Sequence, residues 1–281
     1  MLLPNVVVLE RFQHLLQINK LKSMHLTLLI LFFAMSGITK ADDWPGWFGP
    51  ERDGVWREKG IVKKFPENGP KILWKTKINR GYAGPAVSKG KVFIMDRDLN
   101  QNAKSPDNPF SRGEIPGNER LLCIDAESGK LIWGKPYDCD YTISYSAGPR
   151  ATPIIEKERV YTLGAEGNLF CRKTSDGSTI WANDFNTTFN TKTPTWGFSA
   201  SPLIHGELLI CLAGGQGSVA VAFDKLTGKE QWRSLSAKEP GYAPPMIINH
   251  EGTEFLIVWT PESSFFVKTT NAILGRIPSF F

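Results

Sequence analysis

Cys123-Ile-Asp125-Ala-Glu-Ser-Gly129-Lys-Leu-Ile-Trp133 lines up without a gap with Cys171-Arg-Lys173-Thr-Ser-Asp-Gly177-Ser-Thr-Ile-Trp181, and both line up with Ala222-Phe-Asp224-Lys-Leu-Thr-Gly228-Lys-Glu-Gln-Trp232. In each copy a Gly stands four residues before a Trp, and a turn-forming Ser, Asp or Thr stands before that Gly. Gly supplies positive φ at no steric cost, so each copy predicts a strand, a tight turn and a second strand carrying Trp. Successive Trp residues are 48 and 51 positions apart, a period long enough for one small sheet.

A second landmark precedes each copy. Pro85, Pro153, Pro202 and Pro245 each open a short apolar run, which is followed by a polar turn and another apolar run: Val92 to Met95, Val160 to Leu163, Leu208 to Leu212, Phe255 to Trp259. Proline at the first position of a strand removes no ladder hydrogen bond. The order is four strands per unit joined by hairpins, with no helical periodicity long enough for a crossover helix. The predicted fold is all-β: a β-propeller of four-stranded antiparallel blades, incomplete, with about four blades. Trp74, Trp133, Trp181 and Trp232, with Gly129, Gly177 and Gly228, are read as blade-packing residues, because a repeat needs the same contact at every joint.

The 281 residues, 41% hydrophobic and 22% charged, describe a folded chain and exclude disordered, collagen-like and polytopic membrane classes. The formal charge of +5 divides unevenly: residues 1–40 hold Arg11, Lys20, Lys22 and Lys40 against Glu10, and 29 basic against 27 acidic side chains remain. No cluster follows a phosphate backbone, so nucleic acid is not an expected partner. Lys20 and Lys22 precede the apolar run Leu26 to Ile38, which small residues end. This pattern predicts a secretory signal over 1–41, with 1–23 an over-called start before Met24, and a product exported to the periplasm or the exterior. The alternative is an uncleaved anchor, the one membrane contact foreseen. Residues 42–71 then form an N-terminal lead-in, 72–267 the repeats, and 268–281 an aberrant tail that reads as a truncation or a shifted frame.

Four cysteines suit no disulfide framework. Cys123, Cys171 and Cys211 lie in apolar runs and are read as buried, whereas Cys139 is read as lying in a polar loop. Residues 97–120 interrupt the period between the second and third strands of the first unit and are read as a long exposed loop. Other patterns fail on context. Gly215-Gln-Gly217-Ser-Val-Ala220 resembles a dinucleotide fingerprint, but a strand follows it, so it is read as a hairpin turn. Asp96-Arg-Asp98-Leu-Asn100 with Asp107 mimics a Ca²⁺ loop but has Gln101 where Gly is needed, and is read as a solvated loop. His205 and His250 lack zinc-ligand spacing, so no metal and no catalytic residue is expected.

Trp44-Pro-Gly-Trp47-Phe-Gly49-Pro50-Glu-Arg52-Asp53-Gly54, Gly69 to Trp74, Ala147 to Pro153, Val160 to Gly167 and Trp196 to Pro202 resemble, over roughly residues 42–262, exported bacterial PQQ-binding-like β-propeller repeat proteins. The resemblance implies a ring of seven or eight blades. It also implies one of two functions: a quinoprotein dehydrogenase holding pyrroloquinoline quinone (PQQ) with Ca²⁺ over the axis, or a non-enzymatic propeller such as the outer-membrane assembly factor BamB. The dehydrogenases carry an adjacent Cys-Cys pair, and this sequence has none. The expectation is therefore an interaction scaffold for protein partners in the cell envelope, without cofactor, with the quinone-dependent oxidoreductase as the alternative. Three residues before each strand-opening Pro stand Tyr82, Arg150, Ser199 and Tyr242, the candidate ligand-binding residues at the axial mouth. An Arg among aromatics suits an anion or a peptide carboxylate; the competing outcome is an Arg bonded to strand-end carbonyls.

Overall fold

In the computed structural model the described residues are 41–268 and 273–278. The chain divides after Asp42, and the unit described begins at Asp43. The signal-peptide reading falls, but for Ala41, outside the described residues, among which no helix is long and apolar enough to cross a membrane.

Four antiparallel four-stranded sheets follow one another in chain order. The first sheet holds β1 (Ala86–Ser88), β2 (Lys91–Leu99), β3 (Gly117–Asp125) and β4 (Leu131–Asp138). The second holds β5 (Ile154–Glu156), β6 (Arg159–Leu163), β7 (Asn168–Lys173) and β8 (Thr179–Asp184). The third holds β9 (Leu203–His205), β10 (Leu208–Leu212), β11 (Ala220–Asp224) and β12 (Glu230–Ser234). The fourth holds β13 (Met246–His250), β14 (Thr253–Trp259), β15 (Ser263–Lys268) and β16 (Ile273–Pro278). This is an incomplete β-propeller, and each sheet is a blade. A one-turn helix, α1 (Phe185–Phe189), capped by Asp184, interrupts the crossover from the second blade to the third.

The repeat has a common hydrogen-bond origin. Gly129, Gly177 and Gly228 all have φ near +70°, and their N–H groups donate to Asp125, Lys173 and Asp224 carbonyls at 2.8–2.9 Å. Asp125 and Asp224 also accept, through Oδ1, the N–H of the residue before the Gly at 2.8 Å. Trp133, Trp181 and Trp232 pair with Cys123, Cys171 and Ala222, and a bulge follows each pair.

Two expectations need correction. The stretch read as an aberrant tail supplies the fourth strand of the fourth blade: β16 pairs with β15 through the same bulge, although the sequence after Pro261 carries no turn Gly and Trp. Gly275, opposite Phe266, holds the position of Trp in that strand, so the strand pairs without that Trp. The 97–120 loop is shorter than expected, since β2 and β3 extend to pair Arg97 with Glu119 and Leu99 with Gly117, leaving 100–116 as the insertion. Asp96, the first residue of the Ca²⁺-loop mimic, is buried in β2 and accepts two bonds from Arg120 at 2.8 and 2.7 Å rather than facing solvent. Polar residues in alternation read as loop; here they are strand residues satisfied by one another.

Apolar side chains fill the joints between blades. Between the second and third, Phe185, Phe189 and Phe198 pack with Leu209, Val221 and Phe223, and the rings of Phe185 and Phe223 stack with 6.4 Å between centroids. All four cysteines are free and buried. Cys139 is no exception: it lies under the first joint beside Tyr141 and Ala165, and burial pushes its thiol well above the usual range.

Candidate functional site

Each crossover from an outer strand to the next inner strand passes one face of the blades, and the four residues singled out there meet in two pairs. The Arg150 guanidinium lies 5.3 Å from the Tyr82 ring, and Ser199 Oγ donates to the Tyr242 carbonyl at 3.1 Å. Tyr82 and Ala83 donate their N–H groups to the Pro149 carbonyl at 2.7 and 2.9 Å, fixing the first crossover on the second. Burial, then Glu239, pushes the Tyr242 phenol up to about 12, while Arg150 pulls it down. The phenol donates to Glu239 Oε2 at 3.2 Å.

Two members of this cluster were not singled out in the sequence. The Trp196 ring sits 5.2 Å from that of Tyr242 and is exposed, as is Tyr82. Glu239 precedes Tyr242 by three residues. Both stand six residues before a strand-opening proline, Pro202 and Pro245, but Asn79 and Ala147 hold that place in the other units, so no residue type repeats there to mark it.

Arg150 has little left to offer a ligand. Its Nη1 donates to the Gly148 carbonyl at 2.5 Å, and its Nη2 to those of Ser144 and Tyr145 at 2.9 and 2.5 Å. Burial lowers its affinity for the proton, with the facing Tyr141, Tyr82, Glu119 and Glu166 opposing. The guanidinium is a brace for the 144–150 crossover.

Residues 44–52 cover the edges of the inner strands. Trp44 exchanges both backbone bonds with Val87 at 2.9 and 2.8 Å, and the Pro45 carbonyl accepts from Ile155 at 2.8 Å. Farther along, the Arg52 guanidinium donates to the carbonyls of Pro202 and Pro245 at 3.2 Å each. One short segment therefore touches all four blades, and burial brings Arg52 down to about 10.

The Trp residues lie at the outer rim. Trp74 packs on Gly129, Trp133 on Gly177 and Trp181 on Gly228, with a Cβ on any of these glycines falling within 2.8 Å of indole carbons. Their Nε1 atoms donate to the carbonyls of Ala126, Thr174 and Lys225 at 2.9, 3.3 and 3.1 Å. Trp74 precedes β1, so residues around it stand against the first blade where an outer strand stands against each later one. Trp232 is half-buried against the apolar cluster shared by the third and fourth blades.

Residues 117–253 match the family model described as outer membrane protein assembly factor BamB. Its repeats are PQQ-like β-propeller repeats. Among solved structures, BamB from Moraxella catarrhalis is similar at 16% identity, with 69% of this chain and 61% of that one covered and a TM-score of 0.42. A quinohemoprotein alcohol dehydrogenase from Comamonas testosteroni is similar at 14% identity, with 88% and 50% covered and a TM-score of 0.43. The chain thus spans less than two thirds of either protein. No curated protein matches it.

PQQ-like repeats raise the question of a quinone with Ca²⁺, and the donor set at this mouth does not fit the pair. Calcium takes six to eight oxygen ligands with several carboxylates among them. Glu239 is the carboxylate in contact with the cluster and is bonded to Tyr242, and no group of three or more His, Cys, Asp or Glu among the described residues could hold a metal ion. Arg150, the cation that could meet a quinone carboxylate, is turned to carbonyls.

Proposed function

We propose that this chain is an exported, non-enzymatic interaction scaffold of the cell envelope, and that it receives protein partners at the crossover mouth without a bound cofactor. One observation carries the proposal: the exposed rings of Tyr82 and Trp196 each stand on a support, Arg150 and Tyr242, that is bonded internally. Aromatic side chains held in place by their surroundings are the usual anchors of protein interfaces, since they offer large contact area at low entropic cost. The family model's description as an assembly factor agrees with such a role. The basic flank and short apolar run before Ala41 support export.

Site-specific photo-crosslinking in cells tests it. A crosslinker at position 82 or 196 is expected to trap a discrete envelope protein, and one at exposed Leu131 on the outer rim is not. Equal trapping from all three positions contradicts the mouth as the interface. Titration with PQQ and Ca²⁺, followed by tryptophan fluorescence and a dye-linked alcohol oxidation assay, addresses the other class: micromolar binding with turnover overturns the scaffold.

A further inference from the structure

Next to the crossover braced by Arg150, a cleft of about 880 Å³ opens between residues 77–80, the end of β2, the 100–116 insertion and Ala147. Its walls carry Lys77, Arg80, Arg97 and Lys104 against Asp98 and Asp107. Cations outnumber acids four to two in these walls, and Asp107 is exposed without a basic partner among the described residues. Asp98 accepts from Asn79 Nδ2 at 3.1 Å and lies 4.0 Å from Arg120 Nη1, so its charge is shared with the strand beneath. Lys77, Arg80 and Lys104 are exposed, and none has an acidic partner among the described residues.

Arg97 adds a fixed charge to the wall. It is buried, donates to the carbonyls of Cys139 and Ile115 at 2.7 and 2.5 Å, and lies 3.4 Å from the Tyr141 ring centroid. Its hydrogen-bond acceptors are carbonyls, and the carboxyl within reach of its charge is that of buried Glu119, opposite it in the β2–β3 pairing.

The insertion is a built wall. Tyr145 N–H donates to the Pro109 carbonyl at 2.7 Å, Ser144 Oγ to the Phe110 carbonyl at 3.0 Å and Arg112 Nε to the Thr142 carbonyl at 2.9 Å. The rings of Phe110 and Tyr145 meet edge to face at 5.1 Å. Cations gathered in a concavity repel one another and focus a positive potential there, which an anion relieves. The volume suits a small organic molecule, and Leu99 and Pro106 give it apolar wall to lie on.

We infer that this cleft binds a small organic polyanion, a molecule bearing two or three carboxylate or phosphate groups on a carbon skeleton. The inference does not depend on the scaffold reading, because neither Tyr82 nor Trp196, the exposed rings that reading rests on, lines the cleft.

Isothermal titration of the full chain with citrate, with glycerol 2-phosphate and with inorganic phosphate tests it. At least one of the two organic anions is expected to bind with a Kd of about 1 mM or tighter at low salt, weakening several-fold as salt is raised. Which of them binds identifies the anionic group. The double substitution Lys77→Gln with Lys104→Gln is expected to weaken binding about tenfold, the equivalent of 1.4 kcal/mol, and Lys229→Gln, on the exposed β11–β12 turn, to leave it unchanged. Should the double variant lose its fold, Lys104→Gln alone is expected to weaken binding about threefold. Absence of binding by both organic anions at about 10 mM, equal binding of inorganic phosphate, or equal weakening by Lys229→Gln overturns the assignment.

Discussion

The outer strands of the third and fourth blades have the same register and the same bulge, yet one carries Trp232 where the other carries Gly275. Strand pairing therefore does not require the Trp. What requires it is the joint to the following blade, where Trp133 and Trp181 lie on Gly177 and Gly228 and donate to a carbonyl in the same turn. The repeat encodes two separable things: a hairpin grammar shared by all four blades, and a Trp-on-Gly lock between neighbours.

Removing the lock should have the largest effect. Trp181 touches the Tyr161 and Phe223 rings as well as the Gly228 turn, so Trp181→Ala is expected to cost about 3 kcal/mol, read from the urea midpoint. Trp232 packs on the apolar cluster shared by the third and fourth blades without a Gly turn beneath it among the described residues, and Trp232→Ala is expected to cost about 1 kcal/mol. Equal losses would erase the distinction between strand and lock.

A smaller effect separates the joints from one another. The second joint is filled by phenylalanines, whereas the first holds the buried carboxyl of Glu119, which accepts from the hydroxyls of Tyr137 and Tyr141 and from Ala165 N–H at 2.9 Å. Burial raises this carboxyl above the ordinary glutamate value of 4.5, opposed by those donors and by Arg97. A carboxyl raised in the folded state gives stability that is complete below its ordinary value and is lost as pH rises through the raised one. Stability is therefore expected to fall as pH rises from about 4.5, and Glu119→Gln, which carries no charge, to flatten that slope in urea titrations at several pH values.

The first three blades were legible because their turn needs positive φ and their joint needs a flat ring, two demands that recur at fixed spacing. Counting back from each strand-opening Pro picked out Tyr82, Arg150, Ser199 and Tyr242, which make the contacts Tyr82–Arg150 and Ser199–Tyr242. What was not legible has no period. Asp96, Arg97 and Glu119 are polar residues inside strands, satisfied by partners such as Arg120, Cys139 and Tyr141 that local spacing does not mark. Cys139 sits among polar neighbours in sequence and under Tyr141 in space. The fourth blade's last strand lacked its Trp, so the pattern that revealed the others had nothing to match.

A double-mutant cycle between Trp181 and Gly228 tests the lock most directly. In the native chain a Cβ at position 228 would lie 2.6 Å from indole carbons, so Gly228→Ala is expected to cost about 2 kcal/mol. With Trp181→Ala already in place the clash is gone, and the same change should cost about 1 kcal/mol, the residue of positive φ. A coupling near 1 kcal/mol is the expected result; additive losses, with Gly228→Ala equally costly in both backgrounds, would contradict a Trp-on-Gly lock between blades.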